Sequence, residues 1–222
     1  MGRHPVHRSL MADTVVLVHG VWMTGVEMGL LARRLRDCGY RTVQFRYHSL
    51  INTVAENAQQ LRRLVNEQGH SPVHLVGHSL GGLVILRALH EQTDLVSGRI
   101  VLLGSPVQGS VIAQRLSRHR LSRWLIGRSG EQALLGDRPR WRGRQSLGVI
   151  AGTRPVGVGR LLGGFDGPND GTVAVSETRL ENATAALSLP SSHFGLLASR
   201  DVAAAVCRYL GQGDFTINDG TR

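Results

Sequence analysis

The sequence predicts an α/β architecture: a doubly wound sheet of six mostly parallel strands with helices on both faces. Three observations predict it. Short, continuous, β-branched runs recur along the chain, as expected of strands covered on both sides. Helix-like stretches with recognisable start signals separate these runs. Three such βα units fall in the first hundred residues, the pattern of a parallel sheet.

The first strand is Thr14–Val18, an unbroken β-branched and apolar run. A helix should follow, because Thr24-Gly-Val-Glu27 fits a capping box, in which hydroxyl and carboxylate each satisfy an orphan backbone N–H; Gly39 ends it. After the second strand, Arg41–Arg46, the same pattern returns at Thr53-Val-Ala-Glu56, and Gly69 stops that helix. The third strand, Pro72–Val76, leads into the helix-like run Leu83–His90. Strands at Arg99–Leu103 and Ser146–Ala151 flank one large insertion, Val107–Gln145. A glycine-rich loop, Gly152–Asn169, then precedes the last strand, Thr184–Leu189, and a final helix. At 222 residues with no linker-like segment, residues 14–211 read as a single domain, with a small lid-like insertion at 107–145. Residues 1–13 read as an N-terminal extension and 212–222 as a tail.

Hydrophobic residues make up 41% and charged residues 19%, which excludes a disordered chain, a collagen, a coiled coil or a disulfide scaffold. Cys38 and Cys207 lie alone in helix-like segments without a CxxC or CxH companion, so neither a zinc site nor a redox pair is expected. No apolar run approaches the ~18 to 20 residues of a membrane span. Met1–Thr14 has basic residues but no apolar stretch behind them, so no secretory signal is expected and the chain reads as cytoplasmic.

The net charge is +10, and all 26 basic residues are arginine, a bias that weakens any functional reading of the total. Nine of those arginines nevertheless lie in Arg115–Arg144, where the only acids are Glu131 and Asp137. The reading closest to hand is a solvated surface; anionic lipid headgroups or acidic substrates come next. Nucleic acid comes last, since aromatics at 5% supply no stacking platform.

Chemistry enters at Gly77-His78-Ser79-Leu80-Gly81, a G-x-S-x-G directly behind a strand and ahead of a helix. That is the setting of a nucleophile elbow, where small residues allow a strained serine and close backbone approach. Serine is a poor nucleophile at neutral pH and needs a base, itself oriented by a third group. Of ten histidines, His193 in Ser191-Ser-His-Phe-Gly195 is best placed, at the carboxyl edge of the sheet. His19 and His78 are expected to pack beside the site, His48 could line its mouth, and His4, His7, His70, His90 and His119 read as surface. For the orienting acid the candidates are Asp170, in Asn169-Asp-Gly-Thr-Val173, then Asp166 and Glu177. The two oxyanion donors are expected to be the N–H of Leu80 and that of Val21 in the turn His19-Gly20-Val21, with Trp22 as the alternative to Val21. Trp22, Met23 and part of Leu121–Leu135 could supply apolar surface near a substrate or serve as core.

Val16-Leu-Val-His-Gly20, Gly77-His-Ser-Leu-Gly-Gly82, and Asn169-Asp-Gly-Thr-Val173 followed by Ser192-His-Phe-Gly195 together resemble the small bacterial serine lipases and esterases of the α/β-hydrolase fold, akin to compact lidless lipases and the PGAP1-like group. The resemblance spans about Thr14 to Leu210. It implies ester hydrolysis through an acyl-serine formed on Ser79, with His193 as base and Asp170 as its orienting acid, and with no metal or organic cofactor. It also implies strand order 2-1-3-4-5-6. Two departures are visible: the usual leading antiparallel strands have no room before Thr14, and the insertion is short for a cap domain, favouring an open site. The implied partner is a small-molecule or lipid ester, with weak contact to an anionic membrane surface through the arginine-rich insertion and no nucleic acid. Two rival readings are an acyl thioesterase with the same triad and a non-catalytic lipid-binding scaffold.

Overall fold

The computed structural model describes residues 12–69, 71–117, 127–130, 132, 141, 143–157, 159 and 164–216. Six strands, β1 (Thr14–Val18), β2 (Arg41–Phe45), β3 (Val73–His78), β4 (Ile100–Leu103), β5 (Leu147–Gly152) and β6 (Ala185–Leu189), form one sheet ordered β2-β1-β3-β4-β5-β6. Every neighbouring pair is parallel. Both the expected strand count and the expected order are therefore observed. The strand limits move by one or two residues, most usefully at β3, which runs on through His78 to the foot of Ser79.

Alternation within the strands sorts the core into two layers. Val16 and Val18 of β1 face the side covered by α2 (Val54–Asn66) and α3 (Leu80–Glu91), together with Leu61, Leu75, Leu83 and Leu102. Val15 and Leu17 face the other side, where α1 (Gly29–Asp37) packs beside the chain's last helices, with Leu31, Leu35, Val101 and Val206. The inner strands β1, β3, β4 and β5 are buried along their whole length, as their continuous apolar sequences require. The outer strand β6 instead alternates between half-buried and exposed residues, because Ala185, Leu187 and Leu189 pack on one core layer while Ala186 and Ser188 on its other face are exposed.

The two identical capping signals fold differently. At α2 the full box forms: Thr53 Oγ1 accepts the Glu56 N–H at 3.2 Å and the Glu56 carboxylate accepts the Thr53 N–H at 2.7 Å. At Thr24 only the carboxylate half forms, Glu27 accepting the N–H groups of Thr24 and Gly25 at 3.1 Å each. Gly25 there has φ +97°, so the chain enters a 3-10 turn at Val26–Met28 before α1 begins.

Within the insertion the described helices are α4 (Val111–Ser117) and α5 (Gly127–Gly130). After β6 come the short α6 (Gly195–Ala198) and the long α7 (Arg200–Gln212). The expectation of two isolated cysteines is corrected here. Cys38, the C-cap of α1, and Cys207 on α7 form a disulfide with Cα atoms 6.3 Å apart. The pairing follows from the sheet: α1 and α7 lie side by side on one face, although 169 residues separate the cysteines along the chain. No local spacing signals such a contact.

A bond closing so long a loop restricts the unfolded chain strongly, and removing a native disulfide costs about 2 to 5 kcal/mol. The Cys38→Ser/Cys207→Ser variant should melt about 5 to 15 °C below the parent protein, since each kcal/mol shifts a chain of this size by ~2 to 4 °C. Calorimetry of the variant, and of the parent with and without reductant, measures it; equal melting in all three would show that the bond contributes nothing.

Candidate active site

The site begins where β3 ends. Ser79 takes φ 54° and ψ −124°, a backbone conformation that an L residue adopts only when its surroundings impose it. Its N–H donates to the Leu103 carbonyl at 2.9 Å and its carbonyl accepts the Gly82 N–H at 3.1 Å. Helix α3 starts immediately, at Leu80, three residues earlier than the sequence suggests. A side chain at Gly81 would run into the Val18 carbonyl at the end of β1, so only glycine lets this helix start so close to the sheet. Ser79 thereby stands at the N-terminal, positive end of α3 with 9% of its surface exposed.

His193 follows β6 and is held by backbone and side chain alike. Its N–H donates to the Asp170 carbonyl at 2.9 Å, and its Nδ1 lies 2.7 Å from Asp170 Oδ2. Asp170 Oδ1 accepts the N–H groups of Thr172 and Val173 at 2.9 and 2.7 Å, an aspartate turn built from the Asp-Gly-Thr sequence. His193 and Asp170 are 4% and 1% exposed. An ionised carboxylate only accepts, so Nδ1 carries the proton and Nε2 keeps its lone pair for a substrate-side proton. Of the three candidate acids, only Asp170 meets His193. Asp166 lies exposed. Glu177 is buried elsewhere, accepting the N–H groups of Val111 and Ala174 at 2.6 and 2.8 Å, and burial pushes its carboxyl above the usual range.

The turn after β1 forms the third component. A side chain at Gly20 would lie 3.1 Å from Ser79 Cβ, which puts this turn directly against the serine. Tyr47 donates its hydroxyl to the His19 carbonyl at 2.8 Å and stacks on the His19 ring at 4.2 Å. Trp22 takes φ 60° and donates its N–H to Ser49 Oγ at 3.2 Å. That bond occupies the Trp22 N–H. The N–H groups of Val21 and Leu80 have no hydrogen-bond partner among the described residues. Met23 is buried, its sulfur accepting the Gly20 N–H at 3.3 Å, while the Trp22 side chain is 52% exposed.

Several residues here carry roles that sequence reasoning did not assign. His78, expected only to fill the elbow, donates its Nε2–H to the His193 carbonyl at 3.0 Å, joining the serine turn to the histidine loop. Its ring lies 4.7 Å from that of His193. Burial first, and the neighbouring His193 second, hold His78 well below the usual histidine range; burial also lowers His19. Tyr47 and Ser49 support the turn after β1 from 28 and 27 residues away, beyond any local signal. His48 is exposed and lines a cleft with Trp22, Met23 and the segment Arg46–Ile51. His90 is exposed, while His4, His7, His70 and His119 lie outside the described residues.

The insertion is tied down at both described helices. Glu177 takes the Val111 N–H beside α4, and α5 docks on the segment before α2. There the Arg128 N–H donates to Leu50, Ser129 Oγ donates to the Asn52 carbonyl at 2.7 Å, and buried Asn57 donates to Ser129 at 2.9 Å. Most of Leu121–Leu135 lies outside the described residues. Among the described residues no three metal-ligand side chains converge, and no helix is long and apolar enough to cross a membrane.

A strained serine at a strand–helix junction, with a buried Asp–His pair delivered by later loops of a parallel sheet, defines a hydrolase-type site. The family model of the alpha/beta hydrolase family matches residues 15–220, and the chain belongs to that family. Among solved structures, it is similar to Bacillus licheniformis lipase BlEst2 in mature form, with 21% identity, 97% of each chain covered and a TM-score of 0.70. It is similar also to phospholipase PlaB from Legionella pneumophila in complex with thio-NAD (17% identity, 90% of this chain and 58% of that one, TM-score 0.72). A third is the NocB thioesterase domain from the nocardicin cluster (20% identity, 90% and 95% covered, TM-score 0.61). At such identities these likenesses show the fold. No curated protein matches the chain.

The lowered histidines give the fold a defined acid sensitivity. Burial lowers His19 and His78 in the folded state, so as the pH falls below about 6.5 the unfolded chain takes up protons on them before the folded one does. Their contribution is therefore fully present above pH 6.5 and is lost as the pH falls. Urea midpoints should drop between pH 7.5 and pH 5, and His78→Phe should show a smaller drop than the parent. A drop of the same size in the variant would remove His78 as its source.

Proposed function

We propose that the protein is a serine hydrolase that cleaves carboxylic esters through an acyl-serine intermediate. The observation carrying this reading is the 2.7 Å bond between buried His193 and Asp170 beside the strained Ser79 elbow. Ser79 Oγ attacks the ester carbonyl while His193 Nε2 takes its proton; Asp170 holds the imidazole tautomer and stabilises the imidazolium. The amides of Val21 and Leu80 bind the tetrahedral oxyanion, and the partly positive end of α3 favours the same charge. His193 returns its proton to the leaving alcohol, and water then repeats the sequence on the acyl-serine. Trp22 and Met23, which line a cleft beside the turn, are proposed to contact the substrate. The same groups suit a thioester, a second reading favoured by the likeness to a thioesterase domain and by the arginine-rich insertion.

We also take residues 14–211 as one catalytic domain with 107–145 as a small lid-like insertion, between the extension 1–13 and the tail 212–222. Its nine arginines are proposed to make weak contact with anionic membrane surfaces, each worth about 1 kcal/mol near such a surface. The cytoplasmic location expected from the first residues is opposed by the Cys38–Cys207 disulfide, since such bonds persist in oxidising compartments; we favour an oxidising compartment.

An organophosphonate should label Ser79 alone, and Ser79→Ala should abolish labelling and ester turnover, read by mass spectrometry and a p-nitrophenyl ester series from C2 to C16. Labelling elsewhere, or full activity in the variant, would end the serine-hydrolase reading. Asp170→Asn should reduce kcat by up to ~10⁴-fold, far more than Asp166→Asn; the reverse order would move the acid to Asp166. Sedimentation with anionic vesicles should exceed that with neutral ones and fade with salt; equal partitioning would leave the arginines as a solvated face.

A further inference from the structure

A concavity opens beside the turn after β1. It is a cleft of about 470 Å³, with Trp22, Met23 and Thr24 forming one wall and the segment Arg46–Ile51 forming the other. Met23 is shared with the catalytic side, because its sulfur is bonded to the Gly20 N–H and Gly20 lies against Ser79. The cleft therefore adjoins Ser79 across a single turn of backbone.

Its surface is largely apolar, and Trp22 and Ile51 remain 52% and 65% exposed along it. Most of its polar groups are already engaged. The Tyr47 hydroxyl serves the His19 carbonyl, and Ser49 Oγ serves the Trp22 N–H. Arg46 and His48 are different: both line the cleft, both are exposed, and neither side chain has a hydrogen bond or ion pair among the described residues. No carboxylate lines the cleft among those residues. The nearby Glu27 carboxylate accepts the backbone N–H groups of Thr24 and Gly25 instead.

An apolar channel whose unengaged charge is a guanidinium complements an amphiphile with a negative end. The planar fork of arginine pairs with carboxylate and phosphate oxygens two at a time, which a neutral ester group does not offer. We propose that this cleft binds the part of the ester substrate that carries an apolar chain ending in a carboxylate or a phosphate, and that Arg46 selects for that anion. The proposal rests on the serine-hydrolase reading of Ser79 and names the substrate class of that site.

The test compares chain-matched ester pairs. One pair is a p-nitrophenyl ester of a C10 dicarboxylic acid and its terminal methyl ester, placing the anion on the acyl side. The other is a decanoyl ester of a phosphate-bearing alcohol and of the uncharged alcohol, placing it on the leaving side. In at least one pair kcat/KM should favour the anionic member by about tenfold or more, as a charge-assisted contact supplies. Arg46→Gln should bring that ratio close to one, Arg46→Glu should invert it in favour of a chain-matched trimethylammonium ester, and Arg87→Gln, two turns along α3, should preserve it. A ratio unchanged in Arg46→Gln, or near one in both pairs of the parent enzyme, overturns the proposal. If no ester is turned over, the reading of Ser79 fails, and calorimetric binding of decanedioate to Ser79→Ala still decides the cleft. Binding that Arg46→Gln weakens about tenfold supports it; binding that is absent or independent of Arg46 overturns it.

Discussion

The backbone of Ser79, held at φ 54° and ψ −124°, is the constraint on which the rest of the site depends. Such a conformation costs about 1 to 3 kcal/mol and survives only where neighbours over-determine it. Here the neighbours are the two strands flanking β3. The end of β4 fixes the serine N–H through the Leu103 carbonyl, and the end of β1 presses on Gly81. Sheet register does the rest. Val18 pairs with Gly77, so the turn leaving β1 and the turn leaving β3 emerge level with one another. The turn carrying Val21 and the start of α3 at Leu80 therefore lie side by side, and Tyr47 and Ser49 brace the first of them.

What could be read from the sequence is what adjacent residues decide. Strand runs such as Thr14–Val18, the Gly77–Gly82 motif and the Asp170 turn each owe their form to neighbours a few residues apart, and each is found close to where it is expected. The paired Thr-x-x-Glu signals mark the limit of that rule. Thr53 forms its box because an extended cap leads straight into helix, whereas the positive φ of Gly25 diverts Thr24 into a tighter turn. Tyr47, Ser49, Glu177 and the disulfide were illegible for a different reason. Each acts across the fold on a group 27 or more residues away, and a sequence without its tertiary neighbours gives Glu177 no claim over the amide of Val111.

Polar groups inside the molecule are used as ties between loops more than as isolated sites. His78 joins the serine turn to the histidine loop, Glu177 joins the acid loop to α4, and Asn57 with Ser129 joins α2 to α5. Buried donors and acceptors are costly when unpaired, so each tie resists displacement of the loops it connects. The loops bearing Ser79, Asp170 and His193 and the described parts of the insertion are consequently parts of one connected network. The cleft beside Trp22 shares in it, since its rim residues Leu50 and Ile51 give their carbonyls to Arg128.

The link between Cys38 and Cys207 also joins parts of the chain that are far apart in sequence. Its two halves lie 169 residues apart in the sequence and meet where α1 and α7 pack side by side on one face of the sheet. The bond therefore ties the last long helix to the first across the whole length of the intervening chain. Because α7 follows the segment bearing His193, with only α6 between them, the bond also anchors the helix that continues from that histidine.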